Sequence, residues 1–268
     1  MAKLGFIGIG NMGEAILRGI LKKGLLPAHN IYIFDLNKEK VQTLQQELGV
    51  LSAQSNTSML ATCDYALLAV KPNVCAEALN ECSVALRGKA LISIVTGWTR
   101  PKIESIVPDC RILRVMPNTP CMVGEGMVAL DLDHSLTDEE FRFALELFNS
   151  TGTALPVPSY LMDAVVGVFG SGPAYVYLFI EALADGGVRA GLPRKMAYAL
   201  AAQTVLGAAK MVQETEAHPG ALKDAVCSPA GATIEAVAAL EHGGLRAAVL
   251  DAVEVCVKRA KELADHEQ

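Results

Sequence analysis

Residues 3–23 read KLGFIGIGNMGEAILRGILKK, an apolar strand-like run that breaks at once into glycines spaced G-x-G-x-x-G and then resumes with helical periodicity. The residues are Gly8, Ile9, Gly10, Asn11, Met12 and Gly13, and the helical pattern spans Glu14 to Lys23. A strand, a glycine turn and a helix in this order require the strand to be followed by a helix packed back on its sheet. The first glycine permits a tight turn, the second lets backbone come close to a pyrophosphate, and the third lets the helix sit close to the strand. The exposed N–H groups and positive end of the helix favour an anion there. Asp35 follows at the end of a second strand-like run, which completes the dinucleotide fingerprint.

The pattern continues. Apolar runs at residues 3–9, 31–35, 65–70, 90–95 and 111–116 alternate with helical segments, as a parallel sheet wrapped by helices requires. Thr137 with Glu140 forms a capping box opening a helix toward Asn149, and a last strand is expected over Thr153 to Val157. After Pro158 strand-like alternation ceases. Helices are expected over residues 174–190, 193–213, 220–226, 233–242 and 245–263, separated by Gly-Leu-Pro, His-Pro-Gly, Ser-Pro and Gly-Gly. The expected fold class is therefore α/β. Residues 1–160 form a Rossmann domain with a doubly wound parallel sheet, and residues 161–268 form an all-helical domain.

Open parallel sheets bind ligands beyond the carboxyl ends of their strands. That rule directs attention to Val70-Lys71-Pro72, Thr96-Gly97 and Asn118 between two prolines; with Asn56 these join the glycine loop and Asp35 as expected cofactor contacts. Asn118 is expected beside a nicotinamide. A carboxylate at Asp35 suits ribose hydroxyls and repels a 2′-phosphate, which leans toward NADH, while Lys38 keeps NADPH open. Asp35 and Asn37 also stand where a helix cap belongs.

Composition narrows the function classes. A net charge of −6 with 19% charged residues offers no basic field for nucleic acid or an anionic membrane. Seven cysteines without a CxxC pair, and five scattered histidines, suggest neither disulfides nor a metal site. The opening MAKLGFIGIG fails as a signal-peptide core, so a reducing cytoplasm is expected. Residues 164–180 carry no charge over a length near that of a short membrane span, but Gly170-Ser171-Gly172-Pro173 argues for a loop entering a buried helix. That helix is apolar on every face, from Tyr175 to Ile180, which a small domain could hardly cover alone. A second copy of the chain is expected to cover it.

GFIGIGNMGEAI, LAVKP, RVMPNTP, GSGPAYVYLFIEAL and HPGALKDAVCSPAGATIEAV together resemble the pyrroline-5-carboxylate reductase family over essentially the whole chain. The β-hydroxyacid dehydrogenases share the opening, and their second domain begins GxxGxGxxxK. Here Gly167, Gly170 and Gly172 match, but Val176 stands at the lysine position, leaving no proton donor for a carbonyl oxygen. The resemblance implies hydride transfer from NADPH or NADH to the C=N bond of L-1-pyrroline-5-carboxylate, giving L-proline. It also implies a homodimer, with larger assemblies of dimers, and a substrate carboxylate held by Ser228, Gly231, Ala232 and Thr233. Thr233 is the expected catalytic residue and Glu216 a further substrate contact. Ala230 departs from the glycine frequent in the family. Two other readings remain at this point: reduction of a different small anionic imine or hydroxyacid, and a nicotinamide-binding sensor without turnover.

Overall fold

The computed structural model describes residues 2–266. By contact the chain divides into two compact units. The first runs to Gly170 and takes back the chain from Val257; the second is Ser171–Cys256.

In the first unit, β1 (Leu4–Ile7), β2 (Ile31–Phe34), β3 (Leu51–Ser52), β4 (Tyr65–Leu68), β5 (Ala90–Ser93), β6 (Arg111–Pro117), β7 (Gly126–Asp131) and β8 (Gly152–Val157) form one sheet in the order β3-β2-β1-β4-β5-β6-β7-β8. The strands from β1 to β6 are parallel to their neighbours, β7 turns back antiparallel to β6, and β8 runs parallel to β7. The chain order reverses beside β1, between β2 and β4, which places the switch point of this doubly wound sheet at the glycine loop. Helices α1 (Asn11–Lys23), α2 (Lys38–Leu48), α3 (Asn56–Leu60), α4 (Cys75–Cys82), α5 (Arg100–Glu104) and α6 (Asp138–Asn149) flank it. Two apolar cores result, as burial of both faces of a parallel sheet demands. One is built on Phe6, Ile16, Leu17 and Phe148, the other on Ile7, Leu68, Leu91 and Ile112. Five cysteines serve in these cores as small apolar side chains; burial pushes the thiols of Cys75, Cys82 and Cys110 up to about 12.

Strands β3 and β7 go beyond the sequence expectation. β3 is two residues long, and β7 (GMVALD) is buried on both faces and shows no alternation. By contact, the sheet-bearing unit runs ten residues past the expected division at residues 160 and 161. Met162, on the short helix α7 (Met162–Val165), is buried with Ala129 and Val157, and Val165 and Phe169 pack against them, so this segment belongs to the sheet. Residues 166–170 form a π-helical turn and α8 (Gly172–Arg189) follows at once. The glycine–proline segment is thus no loop. Pro173 occupies the first turn of α8, where its missing N–H costs nothing.

The second unit holds α8, α9 (Arg194–Thr215), α10 (Pro219–Val226), α11 (Ala232–His242) and most of α12 (Leu245–His266). Gly187 lets α8 and α9 approach: a Cβ there would lie 3.1 Å from Leu192 and 3.5 Å from Ala197. The core between them is small, with Ala184, Ala197 and Ala201 buried and Ile180, Val188 and Leu192 partly so. As expected, the helical unit does not cover α8 by itself: Tyr177 is 59% and Leu178 66% exposed, with Val176 and Phe179 also open. The helical run Ser159–Arg189 is long and apolar enough to cross a membrane by length and composition.

The expected capping box is present. Thr137 accepts from the Glu140 amide and Glu140 accepts from the Thr137 amide, while Arg111 donates to Glu140 at 2.6 and 2.8 Å. The arginine holds the Glu140 carboxyl below its usual range. A carboxyl depressed in the folded state stabilises fully above its unfolded value and loses that contribution as pH falls through the folded value. Glu140→Gln should therefore lower stability by about 1–2 kcal/mol at neutral pH. Thermal melts should show the gap to wild type closing below about pH 4.

Candidate functional site

The glycine loop separates three requirements that look alike in sequence. Gly8 takes φ +85°, and a Cβ there would lie 2.8 Å from the Val70 side chain and 3.1 Å from the Ala69 carbonyl oxygen. Gly13 faces Ala69, with a Cβ only 3.3 Å from that methyl and from the Gly8 carbonyl. Gly10 differs. Its φ of −62° and ψ of −169° suit any residue, and a Cβ would meet nothing within 4 Å. Neither conformation nor packing within the chain asks for glycine at position 10, so the demand comes from whatever approaches the loop.

Gly10 is also the N-cap of α1, and no side chain caps that terminus. The first N–H groups of the helix face outward with the positive end of the helix dipole, which is the donor set a pyrophosphate requires. Asp35, at the end of β2, fixes the loop from behind: its Oδ2 accepts from the Ile9 amide at 2.8 Å and its Oδ1 from the Asn37 amide at 2.9 Å. The cap of α2 is Asn37 alone, whose side chain accepts from Lys40. Each carboxylate oxygen of Asp35 keeps acceptor capacity for a hydroxyl.

The other expected contacts follow the neighbouring strands. Asn56 opens α3, 4% exposed, with its Oδ1 buried and without a hydrogen-bond partner among the described residues. Val70 touches the Gly8 position, Lys71 and Pro72 are exposed just after β4, and Thr96 is exposed beside Gly97 at φ +78° after β5. Asn118 follows the end of β6 as expected, but its amide is engaged with backbone. Its Oδ1 accepts from Met127 N at 2.9 Å and its Nδ2 donates to the Phe169 carbonyl at 3.1 Å. This brace was missed because its partners lie 9 and 51 residues away.

In the helical unit the segment Ser228 to Thr233 forms a helix start whose N-cap, as in α1, is a glycine. Gly231 is the N-cap of α11, again without a side-chain cap, so neither Ser228 nor Thr233 caps the helix. The Gly231 amide donates to the Ser228 carbonyl at 3.0 Å, closing a four-residue turn with Pro229 second and Ala230 third at φ +55°. That fits a type II turn, whose third position favours glycine. A Cβ on Gly231 would fall 2.2 Å from the Ser228 hydroxyl and 3.1 Å from the Ser228 carbonyl oxygen, so a larger residue there would displace that hydroxyl. Thr233 stands exposed in the first turn of α11. Glu216 is exposed at the C-cap of α9, in left-handed backbone at φ +54°. The structure thus gathers Ser228, Gly231, Ala232 and Thr233 at one helix start and puts Glu216 at another helix end.

Two families match different parts of the chain: residues 3–97 match the family described as NADP oxidoreductase, coenzyme F420-dependent, and residues 159–263 match pyrroline-5-carboxylate reductase dimerisation. A pyrroline-5-carboxylate reductase of Escherichia coli K12 is 42% identical over 264 residues, 98% of each chain. The chain belongs to the pyrroline-5-carboxylate reductase family. The solved reductase from Coxiella burnetii superposes with a TM-score of 0.93 at 34% identity over 98% of both chains. The Plasmodium falciparum structure of a pyrroline carboxylate reductase, with NADP bound, gives 0.87 at 34% identity and the same coverage. The family match covers the exposed apolar helices, so this half of the chain is a self-association domain. The match also makes the chain an oxidoreductase built on a nicotinamide-binding domain.

The two glycines of the first turn should separate folding from binding. Gly8→Ala is expected to lower the melting temperature, because it meets both an unfavourable φ and Val70, whereas Gly10→Ala should melt like wild type yet bind NAD(P)H at least about ten-fold more weakly by calorimetry. Ala230→Gly should stabilise the protein by about 1 kcal/mol in denaturant unfolding, since an L-residue in left-handed backbone is strained.

Proposed function

We propose that this chain reduces the C=N bond of L-1-pyrroline-5-carboxylate with hydride from NADPH or NADH, giving L-proline as the last step of proline biosynthesis. The observation that carries the reading is the pair of glycine-capped helix starts, α1 and α11, each presenting unpaired N–H groups to an anion. The first suits the pyrophosphate of a dinucleotide, the second the carboxylate of a small acid. Their chemical fit matches the reductases of the family.

When bound, the nicotinamide supplies the hydride that adds to the imine carbon. The backbone amides at the start of α11 and the Ser228 hydroxyl hold the substrate carboxylate, and this sets which ring atom is presented. Thr233 holds the ring nitrogen through its hydroxyl, which accepts a hydrogen bond from the protonated imine. An imine that binds already protonated needs no strong acid from the protein, in keeping with Val176 at the position where a β-hydroxyacid dehydrogenase would carry lysine. Orientation then contributes most of the rate, as effective-molarity arguments lead one to expect. Glu216 is a weaker member of the set, a carboxylate able to offset the iminium charge.

Asp35 favours NADH through the ribose hydroxyls. Its two backbone bonds, however, make it a support of the glycine loop for either dinucleotide. The reading includes a homodimer and assemblies of dimers beyond it, supported by the exposed apolar residues of α8 and by an apolar groove of about 500 Å³ between α11 and α12, lined by Val237, Leu240, Leu245 and Val249. The charge balance and the cytoplasmic setting of a soluble biosynthetic enzyme go with this reading, without nucleic acid or membrane partners.

Turnover of pyrroline-5-carboxylate with each nucleotide tests the reaction; protein that binds nucleotide but consumes none would overturn it. Thr233→Ala should lower kcat/KM for the imine at least about ten-fold with nucleotide affinity unchanged. Light scattering on the 28.4 kDa chain should give at least twice that mass in detergent-free buffer, and a monomer would overturn the dimer. Partition into vesicles in place of self-association would assign the apolar helix to lipid.

A further inference from the structure

The chain has one tryptophan, Trp98, and its position is not that of an ordinary core residue. It is 6% exposed, lying with Cys75, Leu79, Val95 and Ile103 in the core beneath the ends of β4 and β5. The indole Nε1 donates to the Pro72 carbonyl at 3.2 Å. That carbonyl also accepts from the Cys75 amide, so it is the pivot of the turn that carries Lys71 and Pro72. The backbone amide of the same tryptophan donates to Val95 O at 3.3 Å, closing the turn in which Gly97 sits at φ +78° and Thr96 is presented outward. One residue therefore closes the loop after β5 with its backbone and clasps the loop after β4 with its side chain. These loops are adjacent because their strands pair in register, Leu68 opposite Ser93. Lys102 of α5 lies over the face of the indole, its ammonium 4.7 Å from the ring centroid.

We infer that Trp98 is a positioning residue for the nicotinamide cofactor: its clasp on Pro72 sets the spacing between the loops Val70-Lys71-Pro72 and Thr96-Gly97. The inference rests on the reading of those two loops as cofactor contacts. Loops at the carboxyl edge of a parallel sheet are joined only by strands that end before them, so nothing in the sheet ladder fixes their separation. A hydrogen bond from a buried, rigid indole does so at low entropic cost, because the ring has only two side-chain torsions to lose. Losing the bond leaves a part-buried carbonyl with one donor fewer and frees the turn, but removes no group from the reacting atoms. The signature is a change in cofactor affinity without a change in chemistry.

Trp98→Phe keeps most of the apolar volume and removes the donor. Replacement by benzothienylalanine, with sulfur in place of the indole N–H, keeps the shape as well. Both should raise the KM for NAD(P)H about five-fold, the size of one hydrogen bond, with kcat within about two-fold of wild type. In the wild type, emission from this single tryptophan should fall as NAD(P)H is added, with the dissociation constant found by calorimetry. Unchanged KM in the benzothienylalanine protein would overturn the inference, even if Trp98→Phe weakens binding, because only ring volume would then matter. Emission blind to a nucleotide that calorimetry shows to bind would overturn it too. A wild-type protein that binds no NAD(P)H by calorimetry would instead overturn the reading of the loops, and the inference with it.

Discussion

Direction is the property on which this molecule depends. In a parallel sheet every strand ends on the same edge, and every helix that follows a strand starts there. The N–H groups that a helix leaves unpaired are thus collected along one line, with the loops between them. In the first unit Gly8 to Gly13, Asp35, Asn56, Lys71, Thr96 and Asn118 all follow strand ends, though they are spread over 111 positions of sequence. The chain inverts this order only after β6, where β7 turns back and begins the passage to the helical unit.

What the helix starts do depends on how they are closed. Asn37, Ser55 and Thr137 close theirs with a side-chain oxygen, which satisfies a donor of the helix itself. Gly10 and Gly231 leave theirs open. A side-chain cap is worth about 1 kcal/mol, so each open start forgoes stability that a serine or aspartate would have supplied. Asp35 compensates behind the first by fixing the loop without blocking its donors. Behind the second, the turn from Ser228 to Gly231 does so at the expense of a strained Ala230.

Much of this was legible in the sequence because it is local. The glycine spacing, the capping box at Thr137, the strands β1, β2, β4, β5 and β6 and the five helices of the second half are written in residues near one another, and propensity with periodicity suffices to read them. What escaped is non-local. The clasp of Trp98 on Pro72 spans 26 positions and the brace of Asn118 on Phe169 spans 51. β7 showed no alternation because both of its faces are covered. The helix through Gly170 and Pro173 was misread as broken, because glycine and proline disfavour helix interiors while proline in a first turn does not. The open start of α11 could be placed from the sequence, but only coordinates separate a cap from an open nest.

The exposed face of α8 has a consequence for how the protein comes into being. A unit whose own core is three alanines and a few flanking side chains has little to gain by closing on itself. The two cores of the sheet-bearing unit draw on residues 2–154, so they can form as the chain leaves the ribosome. The helical half matches a dimerisation family, so the burial of its open apolar face is tied to self-association, whose extent rises with the number of copies present. Gene dosage and the rate of translation therefore act on the maturation of this protein as well as on its amount.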